Sequence, residues 1–317
     1  MDNRREASVM TGSCKRVCSE DGGAIFPSWV ELVTRRGRVL LLALLLVSVS
    51  GASQSASAQS SPVPDFQWDP VTDTALVALS TAVAGFSEVV IRGGDLPPTP
   101  PGDVDRLSVL DRWVANQSAP NELAGTMTDL GVATMLGYGV LDGILGATLY
   151  RDRGGSWADL GLYCESVMMN WAIANVVKVA FRRPRPVLFH LEREGEVLER
   201  ETDLSLSFYS LHTAFAAGIT STATYIATER FGSGWQTWVT AGVGTALTAS
   251  IGVGRMLSMN HFTTDVLAGF VVGTAVGLIV PHLHRRTNDG SELSFTVVPT
   301  ATASGDGGVF ASLRGTM

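Results

Sequence analysis

Apolar residues dominate six segments of the chain, and each is close to the length of a bilayer-crossing helix, about 20 residues. Polar groups such as Asp142 and Glu165 interrupt some segments, while Gly and other small residues recur in the last two and favour close helix packing. The pattern predicts an all-α bundle, either in a membrane or as a tight soluble bundle, and we favour membrane association. We expect six helices, at about 74–92, 124–149, 157–182, 211–229, 236–257 and 262–281.

The two ends of the chain follow different patterns. Residues 35–58 place arginines before an apolar run at 39–52 and end in small residues, which is the layout of a secretory signal. We therefore expect an exported protein of the cell envelope, with an uncleaved membrane anchor as the alternative. Two β-prone runs around a Gly-rich turn predict a short β-hairpin-like tail. The expected divisions are a leader at 1–58, a linker at 59–72, the helical domain at 73–284 and the tail at 285–317.

Composition narrows the class of protein further. Of the 317 residues, 45% are hydrophobic and 17% charged, a balance between that of a soluble globule and that of a membrane protein. The formal net charge of -7 argues against nucleic acid as a partner, since a phosphate-backbone binder normally carries a basic excess. Three cysteines are too few and too badly placed for a disulfide framework. Lys178 is the one lysine beyond the leader, and it lies beside an Arg-Pro cluster.

Three polar clusters stand at predicted helix ends. The first is "KVAFRRPRP" at 178–186, the second is "SFYSLHTAFAAG" at 207–218, and the third is "GRMLSMNHFTTDVLAG" at 254–269. If the helices run antiparallel with short loops, all three clusters lie at the same end of the bundle. Charged groups inside apolar sequence therefore converge on one site.

The chemistry of these clusters suits a tetrahedral oxyanion, above all phosphate. Lys178, Arg185 and Arg255 supply three cations, and two of them have planar forks for bidentate oxyanion binding. Helix N-termini near Ser210 and His261 would add backbone N–H donors.

Two histidines supply the groups for phosphoryl transfer. His261 and Asp265 are i and i+4, so we expect the carboxylate to orient the ring on one helical face and free the other nitrogen as a nucleophile. His212 is the proton donor to the leaving group. This set needs neither a metal nor another cofactor. We interpret His282 and His284 as solvated residues of a helix end and not as metal ligands, because no further His or Cys supports them.

These residues resemble the signature of the type 2 phosphatidic acid phosphatase (PAP2) superfamily, which also holds bacterial acid phosphatases and vanadium haloperoxidases. Its three motifs are K-x6-RP, PSGH and SR-x5-H-x3-D, and the first and third match in spacing. The resemblance implies a six-helix bundle in which His261 becomes a phosphohistidine, Asp265 orients it and His212 protonates the leaving oxygen. The residues implied to hold the phosphoryl oxygens are Lys178, Arg185, Ser210 and Arg255.

Two departures from the signature bear on turnover. The second motif reads Tyr209-Ser210-Leu211-His212, so its Pro and Gly are missing, and a positive φ at Leu211 would be costly. In the third motif Gly254 replaces Ser and removes a hydroxyl donor.

Several functions stay open at this stage. We favour a phosphatase acting on a lipid phosphate or isoprenoid diphosphate, with membrane lipid as a partner. A soluble periplasmic acid phosphatase on small phosphoesters is an alternative, as are a catalytically weakened envelope protein of this fold and, ranked lower, a vanadium haloperoxidase. The side of the membrane is also open, because an exported N-terminus and six crossings would place the site in the cytoplasm.

Overall fold

The computed structural model describes residues 65–93, 96, 99–195 and 202–286, together with two strands in the tail. The predicted leader and residues 59–64 of the predicted linker lie outside these residues. The eight described α-helices are α1 (Thr72–Gly93), α2 (Val109–Ala115), α3 (Glu122–Leu149), α4 (Ala158–Phe181), α5 (Pro186–Glu194), α6 (Leu211–Phe231), α7 (Trp235–Leu257) and α8 (Thr263–His284). Strands β1 (Leu293–Ala301) and β2 (Gly307–Gly315) pair antiparallel.

The all-α class is confirmed for the domain, but the helix count differs from the expected six. The six long helices coincide with the predicted segments, and two short helices, α2 and α5, are additional. Helix α5 follows the third predicted segment and was not itself predicted. It forms because Pro186 stands at its first position and Gly195 ends it in the left-handed conformation, while Leu188 and Phe189 are buried.

Helix α6 is the centre of the bundle and packs against α3, α4, α7 and α8. Every residue from 216 to 223 is buried, so the helix is covered on more than one side. A helix built from Ala, Gly, Ser and Thr has no bulky polar face, so neighbours can surround it. Helix α1 packs outside this group, against α4.

A glycine seam on α8 brings α6 and α8 into backbone contact. A Cβ built on Gly269, Gly273 or Gly277 would stand 2.3–2.4 Å from a carbonyl oxygen of Ser210, Ala214 or Gly218, respectively. These glycines are four residues apart and therefore share one face of the helix. The small-residue packing predicted for this segment is confirmed, and it fixes the starts of α6 and α8 side by side.

The end of the predicted linker belongs to the folded domain. Phe66 is almost fully buried and pairs with Arg285, and the Gln67 N–H donates to the His284 carbonyl over 2.8 Å. Residues 65–68 therefore lie along the C-terminal end of α8.

Three of the described helices, α1, α3 and α8, are long and apolar enough to cross a bilayer. Large apolar side chains such as Phe86 on α1 and Val271 on α8 are exposed. This pattern supports association with a membrane.

Candidate active site

The structure places the seven predicted site residues at one end of the bundle. Lys178 lies in the last turn of α4 and Arg185 is the N-cap of α5. Ser210 caps α6, so that His212 lies in its first turn, and Arg255 lies in the last turn of α7. The Arg255 carbonyl accepts hydrogen bonds from the N–H groups of Asn260 (3.1 Å) and His261 (3.3 Å), which ties the third cluster together. The remaining residue, Asp265, is in the first turn of α8.

The His261 ring is buried and held in a single tautomer. Its Nδ1 lies 2.7 Å from the carbonyl oxygen of Ser207. A carbonyl can only accept, so Nδ1 carries the proton and Nε2 keeps its lone pair. Burial, reinforced by nearby positive charges, holds the pKa of His261 well below its usual value. Those charges belong to Arg185, Arg255 and Lys178.

The expected bond between Asp265 and His261 is absent from the described contacts, and this prediction was wrong. Helix α8 begins at Thr263, so His261 precedes the helix and the i, i+4 relationship does not apply. Asp265 instead accepts from the Ser207 hydroxyl over 2.5 Å and from the Phe262 N–H over 2.9 Å. The carboxylate therefore positions Ser207, whose carbonyl in turn orients His261.

Arg183 is a positioning residue that the sequence analysis did not single out. Its guanidinium pairs with Asp265, lies 2.9 Å from Asp111 and donates to Thr264 over 2.7 Å. It also stacks on the Phe262 ring, 4.2 Å from the centroid. Because Asp111 belongs to α2, the short additional helix braces the start of α8.

Two exposed carboxylates pair with two of the site cations. Asp203 takes two bonds of 2.8 Å from Arg185, whose other terminal nitrogen donates to Asn260 over 3.0 Å. Asp129 lies 3.3 Å from Arg255 and 2.8 Å from Nε2 of His212. The side chains of Asp203 and Asp129 are 61% and 64% exposed, respectively, so both cation pairs open toward solvent. An incoming oxyanion would compete with these carboxylates.

His212 is less basic than an ordinary histidine. Burial and the Arg255 charge lower its pKa to about 4, although Asp129 acts in the opposite direction. An anionic ligand among the cations would remove part of this depression. We therefore expect His212 to take up a proton when an anion binds.

Part of the chain matches a known protein family. Residues 159–289 match the family model of the PAP2 superfamily. A crystal structure of a PAP2-type phosphatidylglycerolphosphate phosphatase, a transmembrane protein from Bacillus subtilis, is similar at 19% identity and a TM-score of 0.38; the match covers 77% of this chain and 93% of that one. No curated protein matches the chain.

The altered second PAP2 motif is accommodated without backbone strain at Leu211. Arg182 and Met259 are the two non-glycine residues with positive φ among those described, so the expected cost at Leu211 does not arise. Leu211 opens α6 and packs with buried Tyr209. The first N–H groups of α6 have no acceptor within the helix and remain suited to an oxyanion.

The altered third PAP2 motif is matched by its neighbour on α3. A Cβ at Gly254 would stand 2.3 Å from Cγ2 of Thr128. The Thr128 hydroxyl lies 3.4 Å from the Arg255 guanidinium. Thr128 therefore fills the space of the missing serine and places a hydroxyl beside the same arginine.

Proposed function

We propose that the protein is a PAP2-type phosphatase that hydrolyses a phosphate monoester or diphosphate through a phosphohistidine. The observation that carries the proposal is the His261 ring, held as the Nδ1–H tautomer by the Ser207 carbonyl and surrounded by three cations. A neutral ring with a free Nε2 is a nucleophile, and the cations supply the charge that attracts its target.

In the first step, Nε2 of His261 attacks phosphorus and the P–O bond to the leaving group breaks. The leaving oxygen takes a proton from His212, which gives the alcohol, or the phosphate when a diphosphate is cleaved. Lys178, Arg185 and Arg255 hold the non-bridging oxygens, joined by N–H groups at the start of α6 behind the Ser210 cap.

In the second step, water gives up a proton to His212 and attacks the phosphohistidine. The P–N bond breaks, inorganic phosphate leaves and His261 returns to its neutral form. Asp265 and Arg183 keep the ring aligned through Ser207 in both steps.

We further propose a lipid phosphate or isoprenoid diphosphate as substrate, at a site of the cell envelope. Support comes from the three apolar helices, whose exposed side chains suit acyl or isoprenoid chains while the headgroup occupies the cationic end. The competing candidate is a soluble phosphatase of small phosphoesters. Extraction of membranes with carbonate, combined with protease access to the segment after α5, tests the envelope location and the side of the site.

The test of catalysis uses the full chain in detergent with three substrates: a phosphatidate, an isoprenoid diphosphate and p-nitrophenyl phosphate. His261→Ala should lower phosphate release by roughly 10⁴-fold or more, because no other group replaces the nucleophile. The control is His282→Ala, an exposed histidine at the other end of α8, which should keep wild-type rates.

A brief reaction with labelled substrate should yield acid-labile, base-stable phosphoprotein in wild type and none in His261→Ala. Equal rates for both proteins would refute the nucleophile. Turnover of p-nitrophenyl phosphate without either lipid substrate would favour the soluble-type activity. Phosphate binding without turnover of any substrate would favour a catalytically weakened protein.

A further inference from the structure

A second polar cluster is buried at the opposite end of the bundle, where α1 and α4 begin and α8 ends. It consists of Asp73, Glu165 and His284, and their ligand-type atoms lie within 4.8 Å of one another. His284 ends α8, roughly 28 Å along the helix from Asp265 at about 1.5 Å per residue. This cluster has no part in the proposed phosphatase mechanism, and the inference below does not rest on that mechanism.

The prediction that His284 is a solvated helix-end residue was wrong. Its side chain is 9% exposed, and its Nε2 lies 3.2 Å from Asp73 and 3.3 Å from Glu165. The ring of Trp68 stacks on it at a centroid distance of 6.0 Å. Trp68 itself lies tightly against Gly161 of α4, where a Cβ would come within 2.3 Å of the indole.

The tautomer of His284 leaves the cluster without a hydrogen-bond donor between its three acceptor atoms. Nδ1 lies 2.8 Å from the Val280 carbonyl, so Nδ1 carries a proton. In the neutral ring, the Nε2 lone pair then faces two carboxylate oxygens. Three acceptors that converge in a buried space need protons or a metal ion among them.

A proton alone does not satisfy the cluster. One N–H on Nε2 can point well at only one carboxylate, and Oε2 of Glu165 accepts no hydrogen bond from any residue that the structure describes. Glu165 is 3% exposed, so water does not readily replace the missing donor. A single divalent ion would instead accept lone pairs from all three groups at once.

The donor set fits a transition-metal ion. One imidazole nitrogen and two carboxylate oxygens suit Zn²⁺ or a similar ion, with bonds of about 2.0–2.2 Å and neighbouring ligands roughly 3.5 Å apart. Two carboxylates and a 2+ ion sum to zero charge, which lowers the cost of burial. The outer contacts also match those of metal sites: the Val280 carbonyl orients the ring, and the Asp69 N–H donates to Asp73 over 2.7 Å.

We propose that Asp73, Glu165 and His284 form a structural site for a divalent transition-metal ion such as Zn²⁺, which joins α1, α4 and α8 at the end remote from the phosphate site. Residues 65–68 close one side of the site through their contacts with the end of α8 and with α4.

The experiment uses the full chain in detergent, stripped with a chelator, exposed to zinc chloride and dialysed. Elemental analysis should find one Zn²⁺ per chain, and the thermal unfolding midpoint should rise relative to stripped protein. Glu165→Gln and His284→Gln should lose the bound ion and the rise. His282→Gln, which removes an exposed imidazole two residues earlier, should keep both.

X-ray absorption at the zinc edge gives a readout that does not depend on variants that fold poorly. We expect a first shell of one nitrogen and two or more oxygens at about 2.0–2.2 Å. Wild type that retains no ion and shows no change in unfolding would overturn the proposal. So would retention of zinc by His284→Gln at the wild-type level. Because no substrate is involved, these outcomes are independent of phosphatase activity.

Discussion

Each end of this bundle contains a histidine held by a backbone carbonyl, but the charges around the two rings are opposite. At each end a histidine donates Nδ1–H to a backbone carbonyl, Ser207 for His261 and Val280 for His284, so Nε2 is free. Around His261 the neighbours are cations, whereas around His284 they are carboxylates. The surrounding charge, and not the histidine, decides whether the end attracts an anion or a cation.

The charged side chains at the two ends also differ in their solvent exposure. At the candidate active site, Arg185 and Arg255 are paired with exposed carboxylates that an incoming anion can displace. At the other end the side chains of Asp73, Glu165 and His284 are less than a tenth exposed. An open, exchangeable pairing suits turnover, and a closed cluster suits a permanent structural ion. Each prediction below perturbs one element of this contrast.

After the loss expected for His261→Ala, the largest effect is expected at the general acid. His212→Ala should lower kcat for a lipid or alkyl phosphate by roughly 10²–10⁴-fold, because the leaving alkoxide then departs without a proton. p-Nitrophenyl phosphate should lose much less, since its leaving group needs no proton. Steady-state kinetics on both substrates measure the difference. An equal loss on both would assign His212 to phosphate binding instead.

The next largest effect is expected at the glycine seam, which holds α6 and α8 in backbone contact. Gly273→Ala places a methyl group 2.3 Å from the Ala214 carbonyl, so α6 and α8 must move apart, at a cost of about 1–3 kcal/mol. Gly242→Ala on α7 is the matched control, because no atom lies within 4 Å of its Cβ. It should be neutral or stabilising by up to about 1 kcal/mol.

Chemical unfolding in detergent compares the two glycine variants with wild type. Gly273→Ala should also lose phosphatase activity, because His212 and His261 stand at the starts of the two separated helices. Equal unfolding midpoints for the two variants would mean that the seam is not tightly closed.

Motif spacing was enough to predict that the three clusters lie at one end of the bundle, because each motif stands at a helix end. The third cluster needed only the end of α7 and the start of α8 to bring Arg255 near His261. The role of Arg183 was hidden for a local reason. Arg182 takes a left-handed conformation, with φ of 47°, and redirects the chain after α4. Arg183 and Arg185 therefore reach different partners, which spacing alone does not specify.

The cluster at the opposite end of the bundle could not be predicted from the sequence. Asp73, Glu165 and His284 come from three distant helices, and no motif links them. Asp129 was missed for the same reason, because it lies within α3 and meets His212 only when α3 packs beside α6 and α7. Tertiary packing, and not local pattern, supplies such partners.

A smaller effect is expected at Gly254, which replaces the serine of the third motif. Gly254→Ser should destabilise the phosphate end by about 1–3 kcal/mol, because its Cβ would collide with the Thr128 methyl. Thr128→Ser removes that methyl and keeps the hydroxyl, so the double variant should recover most of the loss, with a coupling of about 0.5–3 kcal/mol. Unfolding of all four proteins in the mutant cycle measures the coupling. Additive effects would mean that the two sites do not touch.

The smallest expected effect is on the pH dependence at Asp129. His212 must carry a proton to act as acid, and burial and Arg255 lower its pKa to about 4, so kcat/KM should rise as pH falls from neutrality toward that value. The Asp129 carboxylate raises this pKa, so Asp129→Asn should move the limb to lower pH. An exposed charge contributes about 1 kcal/mol or less, which limits the displacement to about 0.7 pH units. Profiles of kcat/KM for wild type and variant on one substrate cancel the ionisation of the substrate itself. A limb that moves to higher pH would show that Asp129 acts mainly by competing with phosphate for Arg255.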